Sequence, residues 1–141
     1  SNVINKDEKE KNLRMILNFG HTFGHAFEVA KKYSKKLNHG EAILVGMMMA
    51  SELSFRKKFL SINDLKLIKK HYINLNLPMQ IKKIFRKSEI KKIIYFMKKD
   101  KKNSNEKINL ILIKKIGKVM KPNSFVAKDS EINKFLTSFY N

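Results

Sequence analysis

Residues 14–41 read RMILNFGHTFGHAFEVAKKYSKKLNHGE. This stretch holds three of the four histidines of the chain, His21, His25 and His39, and three of its five glycines. At about 100° per residue, Arg14, Asn18, His21, His25 and Glu28 recur at alternating offsets of four and three. A helix over them therefore carries them as one narrow polar stripe, with Glu10 one turn earlier. The flanking positions Leu13, Ile16, Leu17, Phe23, Phe27 and Ala30 are apolar. A polar stripe set amid Leu and Phe reads as the wall of a site rather than as a solvated face. The spacing predicts a helix from about Asp7 to Tyr33, bent near Gly20. Gly20 and Gly24 lie off the stripe and suit the close approach of a second helix, which offsets a helix-propensity cost of about 1 kcal/mol each.

Outward from this stretch, Ser34–Asn38 reads as a basic loop. A second helix starts at His39-Gly40-Glu41, with Glu41 in its first turn, where the helix dipole favours a carboxylate. It continues toward Phe59 and is nearly all apolar as far as Ser51, which marks it as the central buried helix. Met47, Met48 and Met49 fit core packing better than a soft-metal surface, since Met fills irregular gaps. Ser61 and Asp64 have the spacing of a capping box and predict a third helix over Ile62–Leu75, ending before Pro78. His71 on that helix reads as an ordinary surface residue. Ser88 is expected to cap a fourth helix, EIKKIIYFMKKD. The β-branched run Ile108–Ile113 predicts a strand that forms a hairpin with Lys118–Met120 around Gly117. Pro122-Asn123-Ser124 is a turn, and Asp129 or Ser130 starts a last helix, EINKFLTSFY. The expected fold class is mainly α, with a small β-hairpin.

A chain of 141 residues suits one domain, and neither a repeat nor a Gly/Ser/Pro-rich linker divides it. Ser1-Asn2 without an initiator Met suggests a fragment. Cysteine is absent, which excludes a disulfide framework and permits a reducing compartment. No apolar run approaches the roughly 18–20 residues of a membrane span, and no signal-peptide layout opens the chain. The net charge of +19 raises one alternative, a basic nucleic-acid-binding module. The lysines are spread along the chain and no aromatic-rich basic motif accompanies them, so the charge reads as general surface. Such a field still gathers anionic substrates.

By spacing alone, His21 and His25 are the nominees for a metal on the first helix, with His39 arriving from the second. Neutral imidazole is the commonest metal ligand, and a catalytic zinc commonly keeps three protein ligands and one open position. Glu28 or Glu41 could complete such a shell locally. Arg14 offers a bidentate fork for carboxylate or phosphate, and Asn18 a neutral donor and acceptor. Together they suggest a metal beside an anionic, hydroxyl-rich small molecule. The bland alternative is a buried hydrogen-bonded network, which leaves many polar groups without a task.

The pair RMILNFGHTFGHAFE and LNHGEAILVGMMMA closely resembles the metal-site region of the 3-dehydroquinate synthase family. Asp100-Lys101-Lys102, followed by a strand and Ile116-Gly117, is similar to that family's C-terminal part, so the resemblance covers nearly the whole chain. It implies the α-helical C-terminal domain of a two-domain enzyme, here residues 1–141, with the N-terminal NAD-binding domain outside this chain. It also revises the ligand set. His21 and His39 match the family's metal histidines, and the third ligand is a glutamate of the absent N-terminal portion. His25 and Asn18 match groups that face the substrate phosphate, Arg14 matches the arginine that holds the substrate carboxylate, and Lys101 or Lys102 contributes to the phosphate site. Glu10 stands where the family has an acidic substrate-side residue, although the approach to Arg14 reads DEKEKNLR and departs from the family's pattern.

The implied activity is NAD- and metal-dependent conversion of 3-deoxy-D-arabino-heptulosonate 7-phosphate to 3-dehydroquinate and phosphate, in the shikimate route to aromatic amino acids. The implied metal is zinc or cobalt, and the implied partners are the phosphorylated sugar-acid substrate, the missing NAD-binding domain and a second copy in a homodimer. A cytoplasmic enzyme that binds neither nucleic acid nor membrane is expected. The nearest alternative is another sugar-phosphate cyclase, or a metal-dependent polyol dehydrogenase of the same fold.

Overall fold

A computed structural model describes residues 19–31, 37–99 and 107–141. The first helix, α1, spans His21–Ala30, and α2 spans His39–Arg56. Helix α3 covers Ile62–Asn74, α4 Ile90–Lys99 and α5 Asp129–Thr137. Four short strands lie between α4 and α5: β1 (Lys107–Asn109), β2 (Ile113–Lys115), β3 (Lys118–Val119) and β4 (Val126–Lys128). The mainly α architecture with a small hairpin is as the sequence implies. The part of the long predicted first helix that precedes Phe19 lies outside the described residues, and the described part ends at Ala30 rather than Tyr33.

Helix α2 is the central element. Ala42, Val45, Met48, Met49, Ala50 and Leu53 are all nearly inaccessible to solvent, so the apolar run is core as expected, with Met47 half-buried against it. Phe23 and Phe27 of α1 enter the same core, where Phe27 meets Phe85 at 5.5 Å between ring centroids. The crossing of α1 and α2 is unusually close. Gly46 of α2 lies directly against the backbone of Gly20 and Gly24, and Gly24 against Ala42 and Ile43. The role expected of Gly20 and Gly24 is therefore met, and Gly46 completes it from the other side.

Helix starts follow local chemistry. The Asn38 side chain accepts the Glu41 amide hydrogen bond at 2.8 Å and caps α2, and Ser61 accepts from the Asp64 amide at 3.1 Å and caps α3. Ser88 does not cap α4. It sits inside a short 3₁₀ turn, Lys87–Glu89, and Glu89 accepts the Arg86 amide at 2.8 Å. A carboxylate one residue further on reached back to that amide and moved the start of the α-helix to Ile90. That contact holds the Glu89 carboxyl below its ordinary range, with Lys31 at 3.6 Å adding to it.

The strand predicted over Ile108–Ile113 is divided. Its first part, β1, pairs antiparallel with β4, with Ile108 opposite Ala127. Its last residue opens β2, which pairs with β3 across Ile116-Gly117, where Gly117 takes φ +84°. Ile108, Leu110 and Leu112 are all buried, so the run alternates in burial as extended backbone does. The partners change midway because the Leu110 amide donates to Phe125 and the Met120 amide to Leu112.

Ser54 ties this region to α2. It is fully buried, donates to the Ala50 carbonyl at 2.6 Å and accepts the Ile113 amide at 3.0 Å. Ser54→Ala leaves that buried amide without its acceptor, and the expected loss is about 1–3 kcal/mol. Urea unfolding of both proteins checks it, with a lower midpoint at unchanged slope as the expected outcome.

Candidate metal and substrate site

His21 and His25 stand one turn apart on α1, with their rings stacked at 6.0 Å between centroids and 11° between planes. Both are exposed, and Glu28 follows one turn later, partly buried. The described half of the polar stripe is thus a real face of α1. In this chain that face is open to solvent. Phe23, Gly24, Ala26, Phe27 and Ala30 take the buried side of the helix.

His39 reaches this face from the first residue of α2. Its Nδ1 lies 3.2 Å from both Glu28 oxygens, with the imidazole 68% and the carboxylate 23% exposed. The glycine crossing explains the meeting. Gly20 lies against Met47 and Gly24 against Ala42 and Ile43, so the antiparallel register brings Glu28 level with His39. One turn at a time, the two helices deliver imidazoles and a carboxylate to one surface. Glu28 lies about 10 Å along α1 from His21 at the usual rise of about 1.5 Å per residue.

Among the described residues, no three His, Asp or Glu side chains gather closely enough to hold a metal ion. The three imidazoles and the Glu28 carboxylate are the donors this face presents. Glu41 does not join it: this carboxylate lines a separate cleft of about 450 Å³ with Tyr72, Asn76 and Lys83. The Tyr72 hydroxyl there donates to the Leu44 carbonyl at 2.6 Å, and burial pushes its ionisation far above the ordinary range. A second cleft of about 310 Å³, lined by Met48, Glu52, Lys69 and Met79 among others, also contains none of the three histidines. His71 is exposed on α3, as expected. Glu10, Arg14, Asn18, Lys101 and Lys102 lie outside the described residues.

The spacing of the sequence brought out His21, His25 and Glu28 as neighbours, but not the contact between Glu28 and His39. The signal for it was present in Gly20, Gly24 and Gly46, whose spacing on two adjacent helices sets the register.

The family described as 3-dehydroquinate synthase C-terminal matches residues 1–103. The 3-dehydroquinate synthase of Pelagibacter ubique is 47% identical over 134 residues, which cover 95% of this chain and 36% of that protein. The synthase of Dictyoglomus thermophilum is 42% identical over 117 residues, 83% of this chain and 31% of its own length. The chain thus spans about a third of the length of these relatives. Among solved structures, a 2-deoxy-scyllo-inosose synthase complexed with carbaglucose-6-phosphate, NAD+ and Co2+ superposes with a TM-score of 0.63 at 25% identity. That match covers 86% of this chain and 32% of the other.

Proposed function

The chain belongs to the 3-dehydroquinate synthase family, and from that premise we propose that it is the C-terminal metal- and substrate-binding domain of an NAD-dependent 3-dehydroquinate synthase. The reaction is conversion of 3-deoxy-D-arabino-heptulosonate 7-phosphate to 3-dehydroquinate with release of phosphate. The observation that carries this reading is the crossing of α1 and α2, which brings His39 against Glu28 on the face of α1 that also bears the stacked His21 and His25. An open face suits a domain whose cofactor and third metal ligand come from elsewhere.

The donor chemistry fits a divalent metal. His21 and His39 would hold it, as their match to the family implies. Zinc and cobalt both accept imidazole nitrogen. Such an ion, when bound, would polarise the substrate hydroxyl to be oxidised, and NAD would be the hydride acceptor. His25, Asn18 and Lys101 or Lys102 orient the phosphate, and Arg14 grips the carboxylate with its planar fork. Glu10 stands on the substrate side. Positioning is the main task of these groups, because a correctly held substrate phosphate can accept the acidified carbon-bound proton that is lost as the phosphate leaves.

Among the described residues no helix is long and apolar enough to cross a membrane. We place the enzyme in the cytoplasm and expect a homodimer of the full-length protein. The matched residues favour this synthase over other sugar-phosphate cyclases and polyol dehydrogenases, because Arg14 and the Lys101-Lys102 pair suit a substrate bearing both carboxylate and phosphate.

The experiment joins this chain to the N-terminal two thirds of the Pelagibacter ubique synthase and assays phosphate release with NAD, zinc and the heptulosonate phosphate. Turnover that disappears in Arg14→Lys and His25→Ala variants is the expected result. The chain alone is expected to fold, by circular dichroism, without releasing phosphate. A folded joined protein that is silent toward this substrate overturns the reading.

A further inference from the structure

Glu28 makes a contact that the proposed reaction does not use. Both of its oxygens lie 3.2 Å from Nδ1 of His39, across a helix-helix boundary, while the stripe neighbours His21 and His25 stack on one another. A carboxylate only accepts hydrogen bonds, so the nitrogen that faces it carries the hydrogen. Free neutral imidazole has no such constraint and divides between two tautomers. In a ring held this way, Nδ1 is the donor and Nε2 keeps the lone pair, pointing away from the carboxylate.

We propose that Glu28 is a positioning residue that fixes His39 as the Nδ1–H tautomer and thereby makes Nε2 a preformed ligand for a divalent cation. This rests on the metal reading of His39 given above and adds a residue to it. Three observations support it. The Glu28 carboxylate is only 23% exposed, whereas the imidazole it holds is 68% exposed, so the anchor is the more buried partner. The imidazole sits at the first residue of α2, where Asn38 caps the helix and fixes its backbone. The register that aligns the pair is set by glycine backbone contacts rather than by flexible side chains. Ligating histidines generally hold a carboxylate or carbonyl on their second nitrogen, which orients the ring and raises its basicity. Glu28 has that relation to His39, and among the described residues no carboxylate lies against the ring of His25.

The test uses the 141-residue chain, labelled with ¹⁵N, and reads the ring nitrogens of His39 at fixed pH above its ionisation. The expected spectrum of the parent shows Nδ1 protonated. Glu28→Ala should return the ring to the mixture found in a free peptide, and Glu28→Gln should retain Nδ1–H, because the amide oxygen also accepts. Zinc is then titrated, following the Nε2 resonance of His39. Glu28→Ala should bind about 10–100-fold more weakly than the parent, as outer-sphere partners of ligating histidines generally do. Glu28→Gln should recover part of the loss. Circular dichroism of each variant separates a folding defect from a ligand defect.

The failures are distinguishable. If His39→Ala leaves zinc binding unchanged, or zinc at saturation never moves Nε2 in the parent, the metal reading falls and this inference falls with it. If His39→Ala removes binding while Glu28→Ala alters neither tautomer nor affinity, the metal reading stands and the role of Glu28 is wrong.

Discussion

Gly46→Ala is expected to lower the stability of this chain by about 2–4 kcal/mol. A Cβ at this position would overlap the Gly20 carbonyl oxygen and lie 2.7 Å from the Gly24 amide nitrogen. Both are backbone atoms on a facing helix and cannot rotate aside. Overpacking of this kind typically costs about 1–3 kcal/mol and more where the backbone must move. Alanine returns roughly 1 kcal/mol in helix propensity, which is too little to reverse the sign. Against a total stability of about 5–15 kcal/mol, the loss is a sizeable fraction. Thermal unfolding should show a midpoint lower by about 10 °C. A midpoint equal to or above that of the parent would mean that the two helices are not in backbone contact. The chemical consequence follows from the same shift: helices pushed apart carry His39 away from Glu28, so zinc binding should weaken along with stability.

The second large effect separates two histidines that the sequence spacing treats alike. In the joined full-length protein described above, His21→Ala is expected to lower zinc affinity by about 100-fold or more, beyond the range for outer-sphere partners. His25→Ala should leave zinc content near that of the parent while phosphate release drops steeply. Stacked rings on one helix face make both residues available to the same volume of solvent. Any difference between the two variants therefore has to come from what each ring meets in the complete protein. Metal analysis after dialysis, run beside the activity assay, checks both statements. Zinc retained in His21→Ala and lost in His25→Ala would reverse the assignment.

Much of the fold was legible because its signals are local. Ser61 and Asp64 mark the start of α3 three residues apart, and the apolar run after Glu41 leaves α2 no alternative to burial. Where the reading went astray, a distant partner decided. The run Ile108–Ile113 alternates as one strand should, yet Phe125 and Met120 take its backbone from two sides and divide it. Ser88 has the chemistry of a cap, but Glu89 bonded to the Arg86 amide first. The pairing of β1 with β4 joins segments separated by an entire hairpin, and no periodicity reports such a choice. At the candidate site, helix spacing brought His21, His25 and Glu28 onto one face correctly. It could not supply the axial offset between α1 and α2, which depends on how three glycines on two helices fit together.

That glycine contact works as a mechanical stop. Two helices that meet backbone to backbone have one depth of engagement and little freedom to slide, so the separation between the histidines is set at the crossing and not by the connection that joins the helix ends. The number of residues between Ala30 and His39 can therefore drift without detuning the chemistry, since a longer connection adds only a slowly growing closure cost. The positions at the crossing have no such latitude. Variation in this chain is thus channelled: length is negotiable where the backbone turns, and atom count is not where it touches itself.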